Sequence, residues 1–274
     1  MSPVYYPFAN AIRDTSRTLV DVPLVKDENG YYTMDLENFE ATVQKKDVKL
    51  FILCSPHNPV GRVWREEELR NLLDVCRRNG VYVIADEIHH DLIMPGHRQI
   101  TAAATGDYDS ILITLTSASK TFNLASCQNA MAIIPNDALR AKYDAMTRRI
   151  KTQSGSSFGY VAYEAAFRGG KEWLEQAIRL IYGNYQILVK GLKQKLPEAV
   201  VSPLEGTYLA WVDLSAYLSE RDTERTIRDV CNLAVDFGEW FGRNKYENFI
   251  RVNLATSPDN VRQIVARLDR INTL

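Results

Sequence analysis

The segment VKLFILC, residues 48–54, is followed by REEELRNLLDVCRRNG, residues 65–80, and by VYVIAD, residues 81–86. The first and third runs are short and apolar and contain several β-branched side chains, which predicts two buried strands. The middle run predicts a helix that ends at Gly80 and has one apolar face, formed by Leu69, Leu72, Leu73 and Cys76. A strand–helix–strand order of these lengths indicates a parallel α/β sheet.

The same alternation continues along the chain. SILITLT (110–116) and AMAIIP (130–135) predict further strands, and a long helical region from about 158 to 196 follows. Two later strand-like runs and a final helix that begins after Ser257 complete the sequence. We therefore expect a three-layer, mostly parallel α/β domain over residues 1–178 and a smaller α+β domain over residues 179–274.

Composition excludes several classes of protein. With 46% hydrophobic and 24% charged residues and a formal net charge of −1, the 274-residue chain lacks the basic excess of nucleic-acid or anionic-membrane binders. No apolar run is long enough to predict a membrane span. The four scattered cysteines fit reduced thiols in the cytoplasm, and no spacing of cysteines and histidines predicts a metal site.

Three loops follow the predicted strands and offer chemically useful side chains. Ligands of open α/β sheets bind beyond the carboxyl ends of the strands, where these loops meet. Asp86 ends an apolar strand, so its carboxylate needs a cation or a strong donor. Lys120, in SASKTFNLA, could act as an amine nucleophile, and Ser117 offers a hydroxyl to a phosphate. With the amide of Asn58, this set meets the demands of pyridoxal 5′-phosphate.

These residues lie in motifs that resemble a known family. SPHNPVGRVW, ADEIHHDL, SASKTFNLA and FIRVNLA are similar to the motifs of fold type I pyridoxal-phosphate enzymes of the class I/II aminotransferase superfamily. GRVWREEEL, DEIHHDL, EGTYLAWVD and DFGEWFG look like the cystathionine β-lyase branch, the carbon–sulfur lyases of MalY/PatB type. The resemblance runs from Tyr5 to the C-terminus.

The resemblance implies a role for each site residue. Lys120 would form the Schiff base with the cofactor and then move the substrate α-proton, and Asp86 would pair with the pyridinium nitrogen. Asn58 would hydrogen-bond the ring hydroxyl, next to a cis Asn58–Pro59 peptide. Arg251 would hold the substrate carboxylate in a bidentate fork. Ser117 would bind the phosphate.

Two further cofactor contacts and several alternatives stay open. Tyr5 would stack on the pyridine face, although Tyr6 is an alternative. His89 would lie near the ring hydroxyl, or would serve only for packing. Asp86 could instead cap a turn, and Arg251 could be a surface strand residue.

Two departures from the family pattern affect these expectations. The position eight residues after Lys120 is Gln128, where transaminases usually carry a phosphate-binding arginine. By resemblance a glutamine is normal there in the lyase branch, which weakens the aminotransferase interpretation. The family also carries roughly a hundred residues before the tyrosine pair, so the sequence is interpreted as N-terminally truncated. The absent part would include a strand of the sheet and part of the phosphate site. We therefore expect weak cofactor binding and poor solubility, which saturation by low-micromolar cofactor would contradict.

Three functions remain open from the sequence. The first is a β-lyase that cleaves cystathionine or cysteine conjugates to a thiol, pyruvate and ammonia. The second is an aminotransferase, and the third is a non-catalytic remnant of the fold. The expected partners are a small amino-acid substrate and, by resemblance, a second copy of the chain in a homodimer.

Overall fold

The computed structural model describes residues 1–218 and 223–273, with ten strands among them. A short hairpin and a first sheet account for the strands of the N-terminal half. The strands are β1 Val25–Lys26, β2 Tyr32–Thr33, β3 Leu50–Cys54, β4 Tyr82–Asp86, β5 Leu112–Thr116, β6 Met131–Ile133, β7 Val200–Val201, β8 Leu209–Asp213, β9 Asp236–Phe237 and β10 Phe249–Asn253.

Helices separate most of these strands. They are α1 Pro7–Asp14, α2 Leu36–Lys46, α3 Glu66–Arg78, α4 Ala118–Thr121, α5 Asp137–Ile150, α6 Ser157–Gly169, α7 Lys171–Lys195, α8 Thr223–Arg225, α9 Glu239–Gly242 and α10 Pro258–Leu268. Short 3₁₀ turns lie between them, and α8 continues as a π-helix over Thr226–Val230. Among these described helices, none is both long and apolar enough to cross a membrane.

The first sheet has the order β3-β4-β5-β6. β3, β4 and β5 are parallel, and β6 runs antiparallel to β5. Cys54 at the end of β3 is in register with Asp86 at the end of β4, and Asp86 is in register with Leu115 of β5. The loops that follow the three parallel strands therefore begin at one edge, and the predicted mostly parallel α/β sheet is confirmed.

Helix α3 forms for the reason that its sequence indicated. Its apolar stripe, including Leu69, Leu72 and Cys76, is fully buried. Glu68 accepts a hydrogen bond from the backbone N–H of Arg65, which satisfies a donor of the first turn that has no partner within the helix. The helical region expected from about 158 to 196 is instead two helices, since α6 ends at Gly169 and α7 begins at Lys171.

The second sheet is antiparallel, with the order β7-β8-β10-β9. Its buried core is shared with apolar residues of α7 and α10, such as Leu188 and Val261. The predicted division between residues 178 and 179 falls inside α7, and side chains of the second sheet, including Trp211 and Phe249, also pack in the first core. The two-domain division stays a prediction.

A buried arginine joins the two halves of the chain. The Arg62 side chain is 1% exposed, and its Nε donates to Glu205 at 2.8 Å. Its Nη2 donates to Glu68 at 2.9 Å, and its Nη1 donates to the carbonyl oxygen of Tyr32. The guanidinium also lies over the ring of Trp64. Arg62 therefore connects the loop after β3, α3, the hairpin and the loop before β8.

An apolar cavity of about 990 Å³ lies beside β3. Among the described residues, β3 is an edge strand of the first sheet. The cavity is lined by side chains from that strand, from α1 and α2 and from the segment after α1, including Ile12, Val20, Phe39 and Phe51.

Replacing Arg62 by methionine should cost about 3–5 kcal/mol of unfolding free energy, because two carboxylates lose their buried partner while the apolar volume is retained. Urea denaturation measures this loss. The matched control is Arg70→Met. It breaks an exposed ion pair between Arg70 and Glu66, both on α3, and should cost about 1 kcal/mol or less. Equal losses for the two variants would contradict the role assigned to Arg62.

Candidate active site

The loop after β3 brings an amide to the edge of the sheet. Its peptides Ser55–Pro56 and Asn58–Pro59 are both cis, and the second of these confirms the prediction. Asn58 is buried, and its Oδ1 accepts a hydrogen bond from Nη1 of Arg251 at 2.8 Å. The side-chain N–H groups of Asn58 therefore remain available to another acceptor.

The loop after β4 supplies a carboxylate and a histidine. Oδ1 of Asp86 accepts a hydrogen bond from the Ile88 N–H at 3.1 Å. Burial raises the pKa of Asp86, against the opposing effects of that N–H and of the Lys120 charge. His89 is fully buried, and burial together with the positive charges of Lys120 and Arg251 lowers its pKa to about 3. The imidazole is therefore neutral, and its Nδ1 has no hydrogen-bond partner among the described residues.

The loop after β5 carries the lysine and the predicted phosphate ligand. Lys120 lies on the short helix α4 and is half-buried. Ser117 is the N-cap of α4 and accepts a hydrogen bond from Ser119 N–H at 3.0 Å. The Ser117 hydroxyl also donates to the carbonyl oxygen of Asn129 at 2.7 Å and contacts the hydroxyls of Ser119 and Tyr163.

Arg251 reaches the site from β10 of the second sheet. Its side chain is 11% exposed, and Asp236 on β9 pairs with it at 2.5 Å from Nη2 and 3.0 Å from Nε. The guanidinium carbon lies 4.7 Å from the centre of the Phe241 ring. Because Asp236 and Asn58 both hold the guanidinium, Arg251 is fixed in orientation rather than lying on an open surface.

The tyrosine pair divides between two environments. Tyr6 packs edge-on against Trp240 and Phe241, whereas Tyr5 packs against Phe8. Burial raises the pKa of Tyr5, and the charges of Arg251 and Asp86 also act on it. Tyr5 therefore lies within electrostatic range of the predicted site residues.

The structure adds three residues that sequence reasoning missed. Asp236 orients Arg251, the Tyr163 hydroxyl contacts Ser117, and the Tyr208 ring lies edge-on to His89 with centroids 5.5 Å apart. Tyr208 follows Thr207, whose φ of 72° is unusual for a β-branched residue and is a local sign of a functional loop. The quoted motifs EGTYLAWVD and DFGEWFG contained Tyr208 and Asp236 without indicating these roles, and no motif contained Tyr163.

The geometry brings together Asn58, Asp86, His89, Lys120 and Arg251, the last through its bond to Asn58. Ser117 lies three residues before Lys120, and Tyr5 lies within electrostatic range of Arg251 and Asp86. This set offers an amine, a carboxylate, a neutral imidazole and a fixed guanidinium. Among the described residues, no cluster of three or more metal-ligating side chains is present.

Comparisons with known proteins agree with one another. The family described as aminotransferase class I and II matches residues 1–268. The chain is 36% identical over 272 residues to the cystathionine β-lyase PatB of Bacillus subtilis, covering 97% of this chain and 70% of that protein. It is 31% identical to the protein MalY of Escherichia coli, of which it covers 68%.

Solved structures give the same result. The crystal structure of cystalysin from Treponema denticola, which contains pyridoxal 5′-phosphate, matches with a TM-score of 0.93 and 32% identity, over 99% of this chain and 69% of that one. A pyridoxal-phosphate-bound putative aminotransferase from Clostridium difficile matches with a TM-score of 0.94 and 36% identity, over 98% and 70% of the two chains.

A pH test follows from His57, next to Asn58. His57 Nε2 donates to the carbonyl oxygen of Pro3 at 2.8 Å, and burial lowers the pKa of His57 to about 3. The unfolded chain takes up this proton near pH 6.5 but the folded chain does not, so the contribution of His57 to stability is complete above that pH and declines as the pH falls. The free-energy advantage of the wild type over His57→Gln should therefore shrink by roughly 2 kcal/mol between pH 7.5 and 5.0.

Urea denaturation at each pH measures this difference. Asp86 and Glu87, whose pKa values are raised by burial, act in the opposite direction. They are present in both proteins, so the comparison isolates His57. A constant difference between wild type and variant across this pH range would show that His57 does not stay neutral in the fold.

Proposed function

Because the chain belongs to the class I and II aminotransferase family, we propose that it binds pyridoxal 5′-phosphate and cleaves the carbon–sulfur bond of a thioether amino acid. The substrate is cystathionine or a cysteine conjugate, and the overall reaction with water yields a thiol, pyruvate and ammonia. The observation that carries the proposal is the meeting of Lys120, Asp86 and Asn58 at one edge of the sheet, with Arg251 bonded to Asn58.

The residues present fit this cofactor. Asp86 is a largely buried carboxylate whose charge suits a protonated ring nitrogen. The buried His89 Nδ1, which lacks a partner among the described residues, suits the oxygen on the cofactor ring. Asn58 keeps its N–H donors free for the same oxygen because its Oδ1 is engaged by Arg251. Ser117 supplies a hydroxyl for the phosphate.

The protein groups then have separate tasks. When bound, the cofactor supplies an electron sink that stabilises negative charge at the substrate α-carbon. Lys120 removes the proton from that carbon, and the bond between the β-carbon and sulfur breaks as the thiolate leaves with the electron pair. Asp86 would accept a hydrogen bond from the protonated ring nitrogen, and its negative charge would balance the positive charge there.

Arg251 binds the substrate carboxylate through the N–H groups that its protein partners leave free. Asp236 Oδ2 occupies the Nε and Nη2 side of the guanidinium, and Asn58 accepts from Nη1. The outward N–H groups of Nη1 and Nη2 form the fork that matches a carboxylate. Asp236 is a positioning residue in this arrangement.

A homodimer is part of the proposal. Several apolar side chains on α6 and α7 are exposed, and Phe158 is 86% exposed. A second copy of the chain would cover this surface, formed by Phe158, Tyr160, Val161, Phe167 and Trp173. We also propose a cytoplasmic location, which the free thiols of all four cysteines support.

The lyase and aminotransferase readings differ in what the reaction needs. A lyase with bound cofactor releases thiol and pyruvate from cystathionine without any keto acid, whereas an aminotransferase forms product only when a keto acid is added. The relatives named as cystathionine β-lyases support the first. Product that depends wholly on a keto acid would replace the lyase proposal by the aminotransferase one.

Replacing Lys120 by alanine should remove the visible absorbance band formed with pyridoxal 5′-phosphate and should lower the rate of thiol release by at least about 10²-fold, since the variant lacks both the amine and the base. Absorbance and thiol assays measure the two effects. Lys142→Ala is the control, because Lys142 is exposed on α5 and should be replaceable without loss. A wild type without a lysine-dependent band would favour the non-catalytic alternative.

A further inference from the structure

Three hydroxyl groups meet at the start of α4, the helix that carries Lys120. Oγ of Ser117 lies 2.5 Å from Oγ of Ser119, and the Ser119 hydroxyl lies 2.9 Å from that of Tyr163. The Tyr163 hydroxyl also contacts Ser117 and donates to the carbonyl oxygen of Asn129. All three side chains are at least nine-tenths buried. Ser117 and Ser119 lie within three residues of Lys120 in the sequence, and Tyr163 joins them from α6.

Two hydroxyls of this cluster share one carbonyl acceptor. Ser117 and Tyr163 both direct their protons at one carbonyl oxygen, that of Asn129. Each hydroxyl rotates freely to suit an acceptor, and an anion with several oxygens is a stronger acceptor than a shared carbonyl. The cluster is therefore suited to receive a phosphate oxygen.

Close packing of α6 brings the tyrosine to this point. A Cβ atom at Gly159 would lie 2.1 Å from the Asn129 side chain, so α6 approaches the Asn129 loop more closely than any other residue would allow. Tyr163 follows one turn later on the same face of the helix. Its ring packs edge-on against Phe167, which in turn packs against Phe122 of the lysine loop. The hydroxyl is thus held in place before any ligand binds.

The negative charge of the cofactor phosphate would make this hydroxyl cluster useful for binding. The position eight residues after Lys120 carries Gln128, which brings no positive charge to a phosphate. Hydrogen bonds to an ionised group are about twice as strong as neutral ones, and three hydroxyls would compensate in part for a missing cation.

We propose that Tyr163 is a binding residue for the cofactor phosphate, to which it donates a hydrogen bond together with Ser117 and Ser119. The inference rests on the proposed function, because it requires pyridoxal 5′-phosphate as the ligand. On binding, the hydroxyl protons turn from one another and from the Asn129 carbonyl to the phosphate oxygens. No covalent bond changes in this step.

The test compares pyridoxal 5′-phosphate with pyridoxal, which has the same ring and aldehyde but no phosphate. Tyr163→Phe keeps the ring packing and removes only the hydroxyl. It should raise the dissociation constant for pyridoxal 5′-phosphate by about tenfold, while the constant for pyridoxal changes by less than about twofold. Absorbance titration of the lysine-dependent band measures both constants. Tyr143→Phe, at an exposed tyrosine of α5, should change neither.

The outcomes separate the two proposals. Equal effects of Tyr163→Phe on both ligands, or no effect on either, would overturn the role of Tyr163 and leave the proposed function in place. A wild type that forms no lysine-dependent band with pyridoxal 5′-phosphate would overturn both. Ser119→Ala provides a second test, since loss of another hydroxyl of the cluster should produce the same phosphate-selective weakening.

Discussion

The buried ion pair between Arg62 and Glu205 is the interaction on which the site depends. A guanidinium that is 1% exposed loses its hydration, and the loss is tolerable only if its donors find strong acceptors. Two carboxylates and one carbonyl oxygen supply them. Glu205 also accepts the N–H of Val63 at 2.8 Å. These partners come from segments up to 143 residues apart, so the pair fixes how the two sheets approach each other.

Short segments of chain connect the Arg62–Glu205 pair to Asn58 and Arg251. Arg62 pairs through its backbone with His57, which precedes Asn58 in the loop after β3. Glu205 lies in the loop that leads to Tyr208 and β8, and β8 pairs with the strand that carries Arg251. When Asn58 and Arg251 bond to each other, they close a ring of contacts between the two sheets. The guanidinium of Arg251, for which we propose substrate binding, is therefore positioned relative to Lys120 by buried charge rather than by one continuous element.

The sequence predicted the strands and helices that depend on neighbouring residues, and it missed several contacts between residues far apart in the chain. The strand at VYVIAD and helix α3 follow from neighbouring residues, the cis Asn58–Pro59 peptide follows from the family resemblance, and each is present. The break between α6 and α7 at Gly170 was missed because apolar spacing continues across it. Asp236 and Tyr163 were missed because their partners lie 15 and 46 residues away, and periodicity carries no information about such pairs.

Burial at the proposed site works against stability and in favour of chemistry. It raises the pKa of Asp86 and lowers that of His89, so each group is pushed towards its neutral form. A fold selected for stability alone would place apolar side chains at the ends of these strands. Shifts in opposite directions in one loop, beside a half-buried lysine, are instead typical of a site that handles protons. Lys120 opposes the rise in the pKa of Asp86 and adds to the fall in the pKa of His89, which burial causes in the first place.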